Sequence, residues 1–342
     1  MFFSIIIPCP KISPGLEKET IPAILKQEGI LEIVIVPDKK TRKIFPKTKI
    51  LPLEGSPAQK RNHGLKKARG EVIVFIDDDA YPDKNWLKNI ALNFKKSPKI
   101  AGVGGPGLTP PQDPFLAKVS GWFWASPFGS GGAGQYRNWP QKKRLVDDYP
   151  TFNLAIKKSA LNEIGGFSCQ FWPGEDTKLC LDLVYQLGKK IIYDPRVMVF
   201  HHRRKIFLPH LKQLGRYGYH RGLFVKLFPK TSRRLGYFLP ALFTLGLLLG
   251  PATYFLLSSL GPTTLANLFK NILLVGFGLY FLLLFLNSLW VLKKSKNVAI
   301  SFLLLIVVPV SHIYYGFMFL FGLLSSLIDP GSIREEDCYT KV

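Results

Sequence analysis

The chain has 342 residues and is poor in cysteine. Cys9, Cys169, Cys180 and Cys338 are widely scattered, which excludes a disulfide framework and a paired zinc site and suits a reducing compartment. The sequence also lacks internal repeats, a basic-then-apolar secretory signal, and the glycine spacing of dinucleotide or P-loop fingerprints. Small disulfide-stapled domains and nucleotide sites of those two kinds are therefore excluded.

Acidic residues are also scarce. The chain holds 23 Asp and Glu against 46 Lys and Arg, a net charge of +23 at pH 7. Most of this excess belongs to residues 1–234, where 40 basic and 19 acidic residues differ by +21. No nucleic-acid motif accompanies the charge. An anionic membrane face and phosphorylated substrates are therefore the better partners, and no nucleic-acid partner is expected.

Charge almost disappears from three apolar runs at residues 236–260, 272–292 and 298–327. Each is at or beyond the roughly 20 residues that cross a bilayer, so the sequence predicts three transmembrane helices. A very apolar soluble helical domain is the alternative, but it would have no polar face for water. Arg233, Arg234 and the basic run 293–296 flank these segments, whereas 261–271 holds only Lys270. The positive-inside rule then places the amino-terminal part on the cytoplasmic side of the cell membrane.

Ten Lys or Arg and no acid lie between His202 and Arg234, interleaved with apolar residues at roughly helical spacing. This pattern predicts an amphipathic helix in the lipid headgroup region, with a basic linker as the alternative. The predicted organisation is therefore a domain at 1–202, an interfacial segment at 203–234, membrane helices at 235–328 and an acidic tail at 329–342.

The first two hundred residues alternate strand and helix, which predicts an α/β fold with a mostly parallel, Rossmann-like sheet. The strand predicted over residues 72–76 is wholly apolar and ends in Asp77, Asp78 and Asp79. Carboxylates crowded at the carboxyl end of a central strand repel one another unless a cation lies among them, and ligands bind at that edge. A solvated turn in which Asp79 or Asp83 caps the next helix is the alternative.

Two further features extend this candidate site. Glu175 and Asp176 open a predicted helix about a hundred residues later, although acids are also favoured in a first turn by the helix dipole alone. His201 and His202 follow the last predicted strand, and an imidazole could complete an oxygen-rich metal shell. Either histidine could equally be a surface residue near the membrane. Between residues 102 and 149 the periodicity fails, and a long flexible lid or acceptor-facing loop is expected.

In order, these segments resemble the inverting family 2 glycosyltransferases of the GT-A fold. The residues that carry the resemblance are Ser4–Pro8, Ala58–Gly64, Phe75–Asp79, Asn153–Ile156, Ile164–Phe167, Gly174–Asp176 and Val199–His201. The resemblance implies a divalent metal, Mg²⁺ or Mn²⁺, on Asp79, Asp77 and His201. It also implies a nucleotide-diphosphate sugar donor bound by Pro8, Asp38, Arg61, Asp77 and Asp78, and Asp176 as general base beside Glu175.

The chain departs from that family where Val36-Pro37-Asp38 replaces the usual Asp-Asp-Gly-Ser, which leaves the register of Asp38 open. The run from Gln213 through Arg216 to Tyr217 resembles the QxxRW element of membrane synthases, so Gln213 and Arg216 are predicted to face the acceptor or membrane. Trp172, which precedes the second acidic pair, is predicted to face it as well. The function expected is sugar transfer to a lipid-linked or polysaccharide acceptor. A polyprenyl-phosphate sugar synthase is the alternative, and a metal-dependent nucleotidyltransferase or a non-catalytic membrane scaffold would be the candidates from other classes.

Overall fold

A computed structural model of the chain describes residues 1–132, 134–171 and 173–325. These residues form two compact units. The first comprises Met1–Pro110 and Tyr136–His202, and the second comprises Pro111–Gln135 and residues 203–325. Trp172, predicted to face the acceptor or membrane, and the predicted acidic tail 329–342 lie outside the described residues.

Within the described ranges the secondary structure includes eleven strands and twelve α-helices, together with π-helical turns at Leu16–Thr20 and Asp182–Gln186 and a 3-10 turn at Cys169–Phe171. The strands are β1 Phe2–Pro8, β2 Ile30–Val36, β3 Thr48–Ile50, β4 Val72–Ile76, β5 Ala80–Pro82, β6 Ile100–Gly104, β7 Gly107–Leu108, β8 Arg144–Val146, β9 Asn153–Lys157, β10 Lys190–Tyr193 and β11 Val199–His201. The helices are α1 Ile21–Leu25, α2 Pro57–Lys67, α3 Trp86–Phe94, α4 Phe115–Ala125, α5 Gln135–Asn138, α6 Lys158–Glu163, α7 Glu175–Leu181, α8 Leu208–Leu227, α9 Pro229–Ser232, α10 Leu235–Leu260, α11 Thr263–Ser295 and α12 Val298–Leu324.

An eight-stranded sheet is the centre of the first unit, in the order β3-β2-β1-β4-β9-β6-β10-β8. Strand β1 pairs in parallel with both β2 and β4, whereas β9 runs antiparallel between β4 and β6. The α/β architecture predicted from the sequence is confirmed. The sheet is mixed because β9 and the edge strand β8 run against their neighbours.

Strand β4 is buried on both faces, as its continuous apolar sequence predicts. Val72, Val74 and Ile76 belong to one hydrophobic cluster, and Ile73 and Phe75 belong to the cluster on the opposite face. Alternation along a strand sends successive side chains to opposite faces, so only a strand that is apolar at every position can occupy this place.

A second sheet of three short strands, in the order β5-β11-β7, follows the end of β4 in the same unit. Strand β11 pairs antiparallel with β5, and this register sets His201 opposite Ala80. The turn after β4 is therefore joined directly to the last strand of the unit.

The second unit contains α4 and α8–α12. Helices α10, α11 and α12 are long and apolar enough to cross a membrane. Helix α8 packs against α12 through glycines: a Cβ at Gly222 would lie 2.0 Å from the carbonyl oxygen of Phe319, and one at Gly218 would lie 2.7 Å from that of Tyr315. The two helix backbones therefore meet at a distance that only glycine permits.

The expectation of a long irregular loop between residues 102 and 149 was wrong for Phe115–Ala125, which forms α4. Polar contacts of the residues that follow α4 join this part of the chain to the long helices. The backbone N–H of Phe128 donates to Asn287 Oδ1 at 3.0 Å, and His312 Nε2 lies 3.2 Å from the carbonyl oxygen of Gly129. No local periodicity marks this segment, because the partners of these residues lie more than 150 residues away along the chain.

Candidate active site

The three carboxylates after β4 lie in a turn that leads directly into β5. The backbone N–H of Ala80 donates to the Asp77 carbonyl at 3.2 Å, and Ala80 pairs with His201 across the small sheet. As a result, His201 Nε2 lies 3.0 Å from Asp79 Oδ1. One ligand atom from each of Asp77, Asp79 and His201 lies within 4.8 Å of the others. The structure thus brings together the three residues predicted to hold a metal.

His201, not His202, faces this cluster. The imidazole of His201 is mostly buried and stacks on Phe152, with ring centroids 4.9 Å apart. His202 instead lies with Nε2 3.0 Å from Glu19 Oε2, and its backbone N–H donates to the Asp79 carbonyl at 3.0 Å. Phe152 had no recognisable role in the sequence, since a lone aromatic residue beside a strand carries no pattern.

Helix α3 begins at Trp86 with Asn85 at its N-cap, and no side chain caps it. The capping alternative for Asp79 and Asp83 is therefore wrong. A different side chain stabilises this region: Trp86 Nε1 donates to Asn153 Oδ1 at 2.8 Å, and Asn153 Nδ2 donates to the carbonyls of Gly105 and Val197. Asn153 thereby fixes the start of β9 beside the loops that carry the site.

Arg61 joins the two carboxylate groups that the sequence places a hundred residues apart. Its Nη1 donates to Glu175 Oε1 at 2.7 Å, and its Nη2 donates to Asp77 Oδ1 at 3.3 Å. Only 5% of the Arg61 side chain and 8% of the Glu175 side chain are exposed, so this is a buried ion pair. The Arg61 guanidinium also lies over the Phe167 ring, 5.6 Å from its centroid.

Burial and the crowding of carboxylates in this turn shift the pKa values of two of its aspartates. Burial raises the pKa of Asp78 to about 7, and the carboxylates of Asp79 and Asp77 add to this rise. Burial also raises the pKa of Asp77, the Arg61 guanidinium opposes the change, and Asp79 adds to it. A cation among these groups would offset the repulsion that raises both pKa values.

Glu175 and Asp176 form the first turn of α7, as predicted. The preceding residue, Gly174, has φ 126°, a conformation that residues with a Cβ rarely adopt. This turn directs the Glu175 carboxylate to Arg61, while Asp176 Oδ1 accepts a hydrogen bond from the Thr177 N–H at 2.8 Å. The helix is anchored by Thr177, whose hydroxyl donates to the buried Asp148.

The remaining predicted donor residues lie at the ends of β1 and β2. Pro8 is the last residue of β1 and pairs with Val36 at the end of β2, so Asp38 follows at the same sheet edge. Asp38 forms an ion pair with Lys60, 2.5 Å between Oδ1 and Nζ, and Lys60 also donates to the Cys9 carbonyl at 2.7 Å. Lys60 is buried. Its role could not be recognised from the sequence, because a lysine in a basic helix has no distinguishing pattern.

Gln213 and Arg216 lie on α8 in the second unit. Gln213 Nε2 donates to the Tyr217 hydroxyl at 3.3 Å, and the Arg216 side chain is exposed.

The residues of the cluster fit a divalent cation by their chemistry. Two carboxylates and one imidazole form a donor set suited to Mn²⁺ and related ions, and Mg²⁺ also accepts carboxylate ligands. Asp79 is the most exposed of the three, with 54% of its side chain accessible, whereas the His201 ring is held in place by Phe152. Two partly enclosed ligands and one open ligand leave room for substrate oxygens to join the shell.

Residues 4–165 match the sequence profile of the family described as Glycosyl transferase family 2. A dolichyl N-acetyl-glucosaminyl phosphate diacetamido-dideoxy-glucuronosyltransferase of Methanococcus voltae is 24% identical over 48% of this chain and 51% of its own length. A glucosyl-dolichyl phosphate glucuronosyltransferase of Haloferax volcanii is 21% identical over 41% of this chain and 46% of its own length. The chain thus spans about half the length of these curated relatives.

Among solved structures, a mannosyltransferase of Pyrobaculum calidifontis in complex with GDP-Man and Mn²⁺ resembles this chain. The TM-score is 0.53 and the sequences are 18% identical, with 91% of this chain and 86% of the other covered. At that identity the likeness establishes the fold alone. The chain therefore contains a mixed α/β domain that resembles GT-A glycosyltransferases, in which residues 4–165 match the glycosyl transferase family 2 profile, and three long apolar helices follow it.

Proposed function

We propose that the protein is a membrane-anchored, metal-dependent, inverting glycosyltransferase that moves a sugar from a nucleotide-diphosphate donor to a lipid-linked acceptor. The observation that carries this proposal is the convergence of Asp77, Asp79 and His201 in one cluster, which Arg61 connects to Glu175 beside Asp176. The dolichyl phosphate sugars in the names of two relatives support, as the acceptor, a sugar attached to a phosphate-linked polyisoprenyl carrier.

In this mechanism Asp79, Asp77 and His201 would hold Mg²⁺ or Mn²⁺. When bound, the ion supplies electrostatic stabilisation for the charge that develops on the leaving diphosphate. Phe152 stacks on the imidazole of His201, and Arg61 donates a hydrogen bond to the Asp77 carboxylate. These contacts preorganise the ligands before the donor arrives, which lowers the reorganisation that the reaction requires.

Asp176 acts as the general base, which takes the proton of the acceptor hydroxyl as that oxygen attacks the anomeric carbon. The bond between the anomeric carbon and the diphosphate breaks in the same displacement, and the proton moves to the Asp176 carboxylate. One displacement inverts the anomeric configuration. Glu175 supports this step through its ion pair with Arg61, and Pro8 and Asp38 border the space for the nucleotide.

We further propose the domain limits expected from the sequence and a location in the cytoplasmic membrane, with the catalytic domain on the cytoplasmic side. Three helices of membrane-spanning length and the basic residues that flank them support this arrangement.

The function is tested with the full chain in detergent, Mn²⁺ and a panel of nucleotide-sugars, by measuring release of nucleotide diphosphate. We expect release with at least one donor, and its loss in Asp79→Ala and Asp176→Asn. Glu71→Gln is the matched control, since this exposed carboxylate precedes β4 whereas the triplet follows it. Full activity in both site variants would contradict the proposal. An NMR measurement of the product's anomeric configuration tests inversion.

A further inference from the structure

An apolar groove lies on the second unit where three helices meet. Helix α8 contributes Leu211, α10 contributes Leu248, and α12 contributes Ile313 and Phe317. Its volume of about 430 Å³ is in the range of pockets that hold small ligands. Phe317 and Leu248 are more than half exposed, so the groove is open along its side to the surroundings of the helices.

The groove offers an occupant almost no hydrogen-bonding group. Thr244 lines it, but its hydroxyl donates to the Pro240 carbonyl at 2.8 Å and also lies 3.3 Å from the Ile313 carbonyl oxygen. Because Thr244 Oγ1 is committed to the backbone of its own and the neighbouring helix, the remaining surface favours hydrocarbon. The groove is therefore suited to an apolar chain rather than to a sugar or a nucleotide.

Two cationic side chains follow residues of α8 that line or adjoin this groove. Lys212 and Arg216 are exposed and lie one turn apart on α8. They follow Leu211, which lines the groove, and Gly215, at which a Cβ would lie 2.5 Å from the ring of the lining residue Tyr314. Successive residues in a helix are rotated by about 100°, so the two cations stand on the face next to the groove.

No carboxylate competes for these cations on the helices that form the groove. Helices α8, α10 and α12 contain neither Asp nor Glu. An anion attached to an apolar chain would therefore find two positive charges beside the groove and no opposing negative charge from these helices.

We propose that this groove holds the first isoprene units of a polyisoprenyl phosphate, with its phosphate bound by Lys212 and Arg216. The inference rests on the proposed function, because it assigns to the second unit the carrier lipid of the acceptor. One open apolar groove beside two cations fits one hydrocarbon chain with a terminal phosphate. A diacyl phospholipid would leave its second chain outside the groove.

Native mass spectrometry of the full chain in detergent tests the proposal with undecaprenyl phosphate as the probe and a palmitoyl-oleoyl phosphatidylglycerol as the competitor. We expect wild-type protein to retain undecaprenyl phosphate in preference to the phospholipid. Ile313→Trp, which fills the groove from a partly exposed position, should reduce retention about tenfold. Phe302→Trp on an exposed face of the same helix is the matched control and should leave retention unchanged.

The phosphate contact is tested with Lys212→Ala/Arg216→Ala, for which we expect the preference for undecaprenyl phosphate over neutral undecaprenol to disappear. Lys293→Ala/Lys294→Ala, two exposed cations at the end of α11, should keep that preference. Equal retention in Ile313→Trp and wild type, or phospholipid retained as well as undecaprenyl phosphate, would overturn the proposal. This assay measures lipid retention and needs no sugar transfer. Its result therefore stands even if no nucleotide-sugar donor gives activity in the test of the proposed function.

Discussion

Arg61 is the residue on which the candidate site depends most, because it is the one side chain among the described residues shown to bond carboxylates from both halves of the site. Its planar guanidinium places two donors in a fixed fork, which an ammonium cannot reproduce. The sequence places Arg61 in a motif that resembles a glycosyltransferase element, yet its partner Glu175 lies 114 residues away and no local pattern could identify the pair.

We predict that Arg61→Ala lowers the stability of the protein by about 3 kcal/mol, because it leaves the Glu175 carboxylate buried without its cation. Adding Glu175→Gln should recover most of this loss, since a neutral amide tolerates burial better. Nucleotide diphosphate release should stay low in the double variant, because Asp77 has still lost its Arg61 contact. Thermal unfolding in detergent and the release assay measure the two effects. If Glu175→Gln fails to restore stability, the buried pair does not explain the loss.

Glu32 gives a pH-dependent prediction away from the site. Burial raises the pKa of Glu32, but hydrogen bonds from the Arg69 N–H, the Ser4 hydroxyl and Lys49 outweigh it and lower the pKa from 4.5 to about 2. The ionised form therefore stabilises the fold by about 3 kcal/mol above pH 4.5, and this contribution is lost as pH falls from 4.5 towards 2. Unfolding of Glu32→Gln should show a weaker dependence on pH in that range than wild type. Parallel pH profiles for the two proteins would contradict the assignment.

Among the secondary-structure elements, the sequence predicts those whose apolar pattern lies within the element itself. Strand β4 was predicted at its observed limits, because a central strand buried on both faces has a continuous apolar sequence. The position of β9 between β4 and β6 was not predicted, since pairing order depends on contacts between distant segments. For the same reason α4 was missed, and the packing of α8 on α12 could not be read from its basic residues.

The glycines of α8 give a direct test of that packing. We expect Gly222→Ala to destabilise the protein by roughly 2 kcal/mol or more, because the added Cβ would lie 2.0 Å from the Phe319 carbonyl oxygen and force the helices apart. Gly278→Ala on α11 is the matched control, since its Cβ would meet no atom within 4 Å. That substitution should be neutral or stabilising by helix propensity. Equal unfolding temperatures for the two variants would mean that α8 and α12 do not meet at this distance.

For the whole molecule, the distribution of basic residues predicts an orientation in the membrane. The α10–α11 connection, Gly261 and Pro262, carries no cation, whereas Lys293 and Lys294 lie in the last turn of α11 and Lys296 lies in its connection to α12. A membrane-impermeant maleimide should label Thr264→Cys in intact cells. It should label Asn297→Cys only after the membrane is permeabilised.

The labelling experiment is interpretable against the native cysteines that the structure describes, because Cys9 and Cys180 are buried and Cys169 is partly buried. The unsubstituted chain measures the background, to which Cys338 outside the described residues also contributes. Labelling of Asn297→Cys from outside would reverse the proposed orientation and would also place the catalytic domain away from its cytoplasmic donor.

The residues Pro111–Gln135 belong to the second unit although they interrupt the first in the sequence. This arrangement has a consequence for synthesis. Gly129 is synthesised 183 residues before its partner His312, which corresponds to an interval of roughly 10 to 40 s at ordinary elongation rates. During that interval the aromatic side chains of α4 have no helical bundle to enter. The nascent chain must therefore tolerate this segment uncovered, so the rate of elongation and the assistance of chaperones become determinants of the yield of folded protein.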